Sequence, residues 1–343
     1  MSKRLTITDL ARHAGVSVAT VDRLLNGRHP VREETARQIY DAANAIGFHA
    51  AGLLRQRVER DLPSYRLGFL LQRPEQHFYV SLGEQLAQAV SAARQFRGIC
   101  AIEYLEDQTP GHVSAKMKAL ASRCQALAVA SVDHPIINGT VAELRQRGVP
   151  IFSILSDFAS DARTGYVGLN NRKVGRTAAW AIARGAKGPG KVGVFVGSHR
   201  FLGHEMREIG LRSYFREHAP QLEVLESYVN LEETSIAYEA TFHILQRHPD
   251  LVGLYVAGGG MEGVIAALRE DASTRNVIAV CNEITPDSRA ALAENILALV
   301  LATPLARLSA ELVQIMAAAI ATPTQDPPAQ TFLPFELYTS ENL

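Results

Sequence analysis

Ile7-Thr8-Asp9-Leu10-Ala11-Arg12-His13-Ala14-Gly15-Val16-Ser17-Val18-Ala19-Thr20-Val21-Asp22-Arg23-Leu24-Leu25-Asn26 is the stretch on which the reading of this chain turns. Thr6 precedes it and Asp9 stands three residues further on, the spacing of a capping box that opens a helix. Leu10, Ala11 and Ala14 give that helix an apolar face. Gly15 stops it, because glycine enters the left-handed backbone region without steric cost. Ser17 caps a second helix that gathers Val21, Leu24 and Leu25 on one side. Asn26-Gly27 signals a turn. From about residue 32 a third helix is predicted, with Ala36, Ile39, Tyr40, Ala43 and Ile46 at helical spacing and Gly47 at its end.

The charge of the chain is uneven around this head. Residues 1–60 carry ten Lys/Arg against six Asp/Glu, while the whole chain balances at 35 of each. A basic head on an acidic body points to a polyanion as the head's partner. At 343 residues, with 47% hydrophobic and 20% charged residues, the chain can bury a sizeable core and is long enough for two or three compact units. No run approaches the roughly 18 apolar residues of a membrane helix. The start, Met1-Ser2-Lys3-Arg4-Leu5-Thr6, leads into no apolar segment, so no secretory signal is expected and the cytoplasm is the expected location. Cys100, Cys124 and Cys281 have no short spacing, which argues for reduced thiols rather than a disulfide or cysteine–zinc framework.

From Arg66 the pattern changes. Nine short apolar runs, Leu67–Leu71, Ile99–Leu105, Ala126–Ala130, Ile151–Leu155, Val192–Val196, Leu222–Val229, Leu251–Val256, Val277–Cys281 and Leu297–Leu301, alternate with segments long enough for crossover helices. Such alternation predicts parallel sheets covered on both faces, and the length predicts two lobes. A polar, proline-rich stretch, Thr322–Gln330, leads to a last strand, Thr331–Tyr338. The expected fold is therefore α/β: a three-helix head over 1–48, a linker over 49–65 and a two-lobed body over 66–343.

Residues 7–26, with Ala14-Gly15-Val16-Ser17, then Thr20-Val21 and Arg23 with Asn26, closely resemble the helix-turn-helix of the lactose/galactose repressor family of bacterial transcription regulators. The resemblance continues through Val31–Phe48 and, more weakly, over the body, which it implies is built like a periplasmic sugar-binding protein. It implies double-stranded operator DNA as partner, a second helix in the major groove and a homodimer or tetramer. By position Val18 and Ala19 match the family's main base-reading pair; being apolar, they can touch thymine methyls but cannot make bidentate hydrogen bonds. Arg23 matches an arginine that contacts guanine. Ser17, Thr20 and Asn26 match residues near phosphates, and Thr6 opens the first helix beside them. Asp22 departs from the family's small hydroxyl residue, so it either pairs with Arg23 or a nearby arginine or accepts from a cytosine amino group. In the linker Ala50-Ala51 replaces the family's Pro-Asn. The residues available to a minor-groove hinge helix are Leu53, Leu54 and Arg57, with insertion of leucine or of arginine both open.

In two-lobed sugar-binding folds the ligand sits between the lobes at the carboxyl ends of strands. That rule selects Gln72, then Phe78 and Tyr79, whose rings can stack on a sugar face, then Asp157, Asn170, Glu205, Arg207, Asn282 and Glu283. Asn170 replaces a usual Asp in Gly-x-Asp-Asn-x-x-x-Gly, here Gly168 to Gly175, and Glu205 takes the place of a sugar-gripping arginine. The carboxylates Glu205, Glu283 and Asp157 favour a neutral, hydroxyl-rich sugar or polyol, then a cationic amino sugar, over a phosphate or dicarboxylate.

Enzyme motifs are missing. Gly188-Pro189-Gly190-Lys191-Val192-Gly193 fits Gly-x-Gly-x-x-Gly in form but precedes a strand, whereas a dinucleotide fingerprint follows one. No Walker loop, nucleophile elbow or His-Glu-x-x-His occurs, and the histidines are scattered. The sequence therefore predicts no catalytic residues, cofactor or metal. It predicts a sequence-specific transcriptional regulator, acting as a repressor, controlled by a small molecule in the body. The rival reading is a regulator whose body only dimerises.

Overall fold

The computed structural model describes residues 5–27, 31–59, 62–271, 276–323 and 329–343. The chain divides into two compact units, residues 1–65 with 93–98, and the remainder.

In the head, α1 (Ile7–His13) carries the capping box in full: the Asp9 N–H donates to Thr6 Oγ1 and the Thr6 N–H donates to Asp9 Oδ2 at 3.0 Å. Gly15 turns the chain at φ +63°. Ser17 then caps α2 (Val18–Asn26) by accepting from the Thr20 N–H. With α3 (Glu33–Ala45) these helices enclose Leu10, Ala11, Ala14, Val21, Leu24, Ile39, Ala43 and Phe48. The linker is helical, as the helix-favouring Ala, Leu, Arg and Gln of this stretch allow. It forms a fourth helix, α4 (Ala51–Glu59), and Leu54 enters the head core with no exposed surface. Leu54 is thus a packing residue here, not a free minor-groove wedge, while Leu53 keeps 44% of its surface exposed. Arg57 lies against Gly27, where a Cβ would come within 2.5 Å of its Nη1. Residues 60–61, in the charged end of the linker, lie outside the described residues.

The body contains two sheets. The first comprises β1 (Ser64–Gln72), β2 (Arg97–Leu105), β3 (Ala126–Val129), β4 (Ile151–Ile154), β5 (Gly165–Leu169) and β12 (Ala329–Leu333), ordered β12-β5-β4-β3-β1-β2. The second comprises β6 (Gly190–Val196), β7 (Leu222–Val224), β8 (Tyr228–Val229), β9 (Leu251–Val256), β10 (Ile278–Asn282), β11 (Leu299–Ala302) and β13 (Glu336–Tyr338). Its order is β13-β11-β10-β9-β6-β7, with β8 also on β6. Only the edge pair β11–β13 is antiparallel among the described pairs of this sheet. The central strands β3, β4 and β5 are buried throughout, as continuous apolar runs in a sheet covered on both faces should be.

Three strand assignments change. Leu222–Val229 is two short strands on one neighbour. Gly165–Leu169, which is not among the nine predicted runs, is a buried strand. Thr331–Tyr338 breaks at Pro334, which lacks a donor for the ladder, and its halves join different sheets. The chain passes between the lobes after β5, after β11 and between β12 and β13. Of the stretch Thr322–Gln330, residues 324–328 lie outside the described residues. No helix among the described residues is long and apolar enough to cross a membrane.

Candidate functional site

The face of the head follows from where α2 buries itself. Val21 and Leu24 turn into the core, so Ser17, Val18, Ala19 and Arg23 stand exposed, Val18 by 45%. Ser17 Oγ and Thr20 Oγ1 lie 2.8 Å apart, which fixes both hydroxyls at the helix start. Asp22 accepts from Asn26 Nδ2 at 2.7 Å, one turn along. Arg23 lies along the same face, its Nε donating to the Ala19 carbonyl oxygen. Thr6 is occupied by its capping box.

In the body the ends of several strands open on one cleft. The structure brings Gln72, Phe78, Tyr79, Arg207, Asn282 and Glu283 together there. Arg207 reaches in from α9 (Leu202–His218). Its Nε donates to Asn171 Oδ1 and its Nη1 to the Ala257 carbonyl oxygen, both at 2.7 Å, and Nη2 lies 3.9 Å from Glu283 Oε1. Glu283, at φ +68°, accepts from the Thr303 N–H and hydroxyl at 2.8 Å each. Burial raises its carboxyl above the usual range, against Arg207 and Thr303. Asn282 is buried and donates to the Val256 carbonyl oxygen and to Tyr255 Oη. Gln72 donates to the Ala130 carbonyl oxygen. Burial, then Glu232 and Glu283, hold the Tyr79 phenol well above its ordinary value.

Three proposed residues do not line the cleft. Asp157 forms a bidentate pair with Arg163, at 2.6 and 2.7 Å, and also accepts from Ser153 and Gln330. Burial works to raise its carboxyl, but these hydrogen bonds outweigh it and leave the group below the usual range. Asn170 is the N-cap of α8 (Asn171–Gly185) and accepts from the Lys173 N–H; its neighbour Asn171 holds Arg207 instead. Glu205 is exposed on the first turn of α9, where a carboxylate suits the helix dipole.

The residues that sequence reasoning missed are His204, Glu232 and Glu262, with Ser131, Ser156 and Thr285 among the polar lining. Glu232 is 8% exposed; its Oε1 accepts from the Gly259 N–H at 3.2 Å and lies 3.8 Å from His204 Nε2. Burial raises its carboxyl, and likewise that of Glu262. His204 accepts at Nδ1 from the Gly197 N–H, and burial, aided by Arg207, takes its pKa down to about 3, so the ring is neutral. The missed carboxylate had a usable signal: Asn230-Leu231-Glu232-Glu233 follows a strand at its carboxyl end, the rule that selected the others. No group of three or more His, Cys, Asp or Glu among the described residues could hold a metal ion.

Residues 6–50 match the description "Bacterial regulatory proteins, lacI family", and residues 67–323 match "Periplasmic binding protein domain". The chain is similar to the HTH-type transcriptional regulator MalR of Streptomyces coelicolor, 26% identical over 206 residues, covering 57% of this chain and 55% of that one. It is also similar to the regulator RegA of Clostridium saccharobutylicum, 37% identical over 78 residues, 22% of each chain. The matches thus span about half of the first relative's length and about a fifth of the second's. Among solved structures, the glucose-galactose binding protein GanP of Geobacillus stearothermophilus superposes with a TM-score of 0.72 at 17% identity, over 81% of this chain and 99% of that one. A solute-binding protein of Agrobacterium vitis bound to α-D-tagatopyranose gives 0.74 at 18% identity, over 81% and 95%. At these identities the likeness is one of fold.

Proposed function

We propose, for a chain that belongs to the lacI family of bacterial regulatory proteins and carries a periplasmic-binding-protein domain as its body, that it is a sequence-specific transcriptional regulator whose operator affinity a small molecule controls. Residues 1–48 read the DNA, 49–65 link, and 66–343 bind the effector and dimerise. Two heads on one dimer address a pseudo-palindromic operator, since a single small head buries too little surface for tight specific binding. The single observation carrying the DNA reading is the exposed start of α2, where Ser17, Val18, Ala19 and Arg23 face outward over a core closed by Val21 and Leu24.

The effector is a small hydroxylated molecule of the sugar or polyol class. Polar side chains from both lobes face one cleft, and two of them, Gln72 Oε1 and Glu232 Oε2, are buried acceptors with no hydrogen-bond partner among the described residues. A body kept only for dimerisation has no use for such acceptors, which cost stability when left unpaired. The ligand favours one arrangement of the lobes and so changes operator affinity.

Selection of duplexes from a random pool by the full chain, followed by anisotropy titration, tests the reading. Arg23→Ala should weaken the selected site by about 1–3 kcal/mol and relax preference at one base pair. An equal loss on selected and random DNA would remove Arg23 as a base reader. No enrichment at all would remove the function.

A further inference from the structure

The cleft holds more carboxylates than cations, and one of them, Glu232, keeps a buried oxygen without a hydrogen-bond partner among the described residues. Three carboxylates, Glu232, Glu262 and Glu283, line it, against the one guanidinium of Arg207. Arg207 is turned to Asn171, the Ala257 carbonyl oxygen and Glu283. At the mouth Arg73 donates to Glu233 Oε1 at 2.7 Å and to the Leu231 carbonyl oxygen at 3.1 Å. His204 is beside Glu232 but neutral, and so supplies no counter-charge. Glu75, Glu233 and Asp287 add carboxylates around the neighbouring mouth, and His77 lines both that mouth and the cleft.

The carboxylate is also held in place by its own backbone. Leu231 and Glu232 occupy the left-handed region in succession, at φ 53° and 59°, a conformation that non-glycine residues keep only where surrounding contacts impose it. Those contacts are present: the Glu232 N–H donates to Asn230 Oδ1, and Asn230 Nδ2 donates to the Gly259 carbonyl oxygen. Missing side chains make the space. A Cβ on Gly197 would fall 2.5 Å from Glu232 Cγ, one on Gly259 would fall 3.0 Å from Glu232 Cβ, and one on Gly258 would overlap the His204 ring. Glu232 Oε2 is left buried and without a hydrogen-bond donor among the described residues.

We infer that the cleft takes a polyhydroxylated ligand bearing a cationic amino group, an amino sugar or amino polyol, and that Glu232 receives the ammonium. The inference rests on the effector reading above. A hydroxyl would give Glu232 one hydrogen bond but leave its desolvated charge uncompensated; an ammonium supplies both the donor and the opposite charge. Gln72 Oε1, the second unpartnered acceptor, and Ser131, Ser156 and Thr285 suit the ligand's hydroxyls, while Phe78, Phe201 and Met261 offer apolar faces to its ring. An anionic sugar meets three carboxylates and one arginine that is already engaged.

Calorimetric titration of the full chain at pH 7 with glucose, glucosamine and N-acetylglucosamine, and with the galactose counterparts, tests this. In at least one series the amine should bind ten times or more tighter than the parent sugar, and the acetylated form, uncharged at the same nitrogen, should show no such gain. Glu232→Gln should remove the preference, bringing each amine and its parent sugar to within about threefold of one another whatever the variant does to their common affinity. The wild-type comparison decides the matter even if that variant folds poorly. Parent sugars that bind as well as their amines, or an amine preference that survives Glu232→Gln, would overturn the inference and leave the cleft reading standing. No binding by any of the six would overturn both.

Discussion

Replacing Arg207 by Met tests whether the cleft is built around a buried charge. The substitution keeps most of the apolar stem and removes the guanidinium. It deletes two bonds of 2.7 Å, leaving Asn171 Oδ1 and the Ala257 carbonyl oxygen without those donors, and strips Glu283 of the cation 3.9 Å away. Arg207 is 7% exposed, so water replaces little of this. Each bond to a charged group is worth roughly 1.5–3 kcal/mol, and breaking a buried pair by removing one partner costs about 3–5 kcal/mol. These overlap, so the body should lose about 3–5 kcal/mol, or roughly 6–20 °C in melting temperature for a unit of this size. Scanning calorimetry of the full chain resolves the body transition. Because part of the loss comes from the stranded carboxylate, adding Glu283→Gln should recover roughly 1–2 kcal/mol, as residues in contact couple by that order. A loss below about 1 kcal/mol, the scale of a surface change, would mean that Arg207 is solvated and the cleft is not formed as described.

Leu54→Ala should lower the stability of the head by roughly 2–5 kcal/mol in chemical denaturation, while Leu53→Ala stays within about 0.5 kcal/mol. Equal effects would return both to the linker. Gly175→Ala should destabilise the body by at least about 1–3 kcal/mol, because a Cβ there overlaps the Arg207 carbonyl oxygen where α8 crosses α9; a neutral result would contradict that approach. In the ligand-free chain Glu232→Gln should be more stable than wild type at pH 8. A raised carboxyl stabilises the fold below its unfolded value near 4.5 and loses that contribution as pH rises through the folded value, so the advantage of Gln should vanish below about pH 4.5. The raised Glu262 and Glu283 give both proteins the same slope, and His204, lowered to about 3, opposes it as pH falls from 6.5. An advantage independent of pH would detach it from the buried charge.

The head was legible because its signals are local. Thr6 and Asp9, Ser17 and Thr20, and Gly15 specify their turns within three or four residues, and the structure closes the same contacts. Leu54 was not, because the short α4 carries only a weak apolar pattern and its burial depends on a face made by other helices. In the body, the residues that directly follow a strand or open the next helix, such as Gln72, Tyr79, Asn282 and Glu283, were found by position alone. Helical phase decides the error at Glu205: two residues from Arg207 is about 200° around the helix, the opposite face. Gly203, Arg207, Gly210 and Leu211, all buried, trace the inward stripe. Asp157 follows a strand as the rule requires, but Arg163 captures it, a contact that sequence position does not reveal. Glu232 was open to the same rule, since its strand was read to end at Val229, but its burial and its turn toward the cleft depend on Asn230 and on the glycines packed against it, contacts that sequence position does not reveal.

The loop that carries Glu232 also answers how a ligand could act on the lobes. Residues 231–233 belong to the second lobe, yet Arg73 and Gln76 of the first lobe bind them, through Glu233, the Leu231 carbonyl oxygen and the Glu232 carbonyl oxygen at 3.5 Å. The side chain of Glu232 therefore faces the cleft while its own backbone is held from across it. A ligand can bias the lobes only through contacts that differ between their arrangements. A group bound to Glu232 would meet that condition, because opening the lobes would part Arg73 and Gln76 from the same segment that such a ligand would hold.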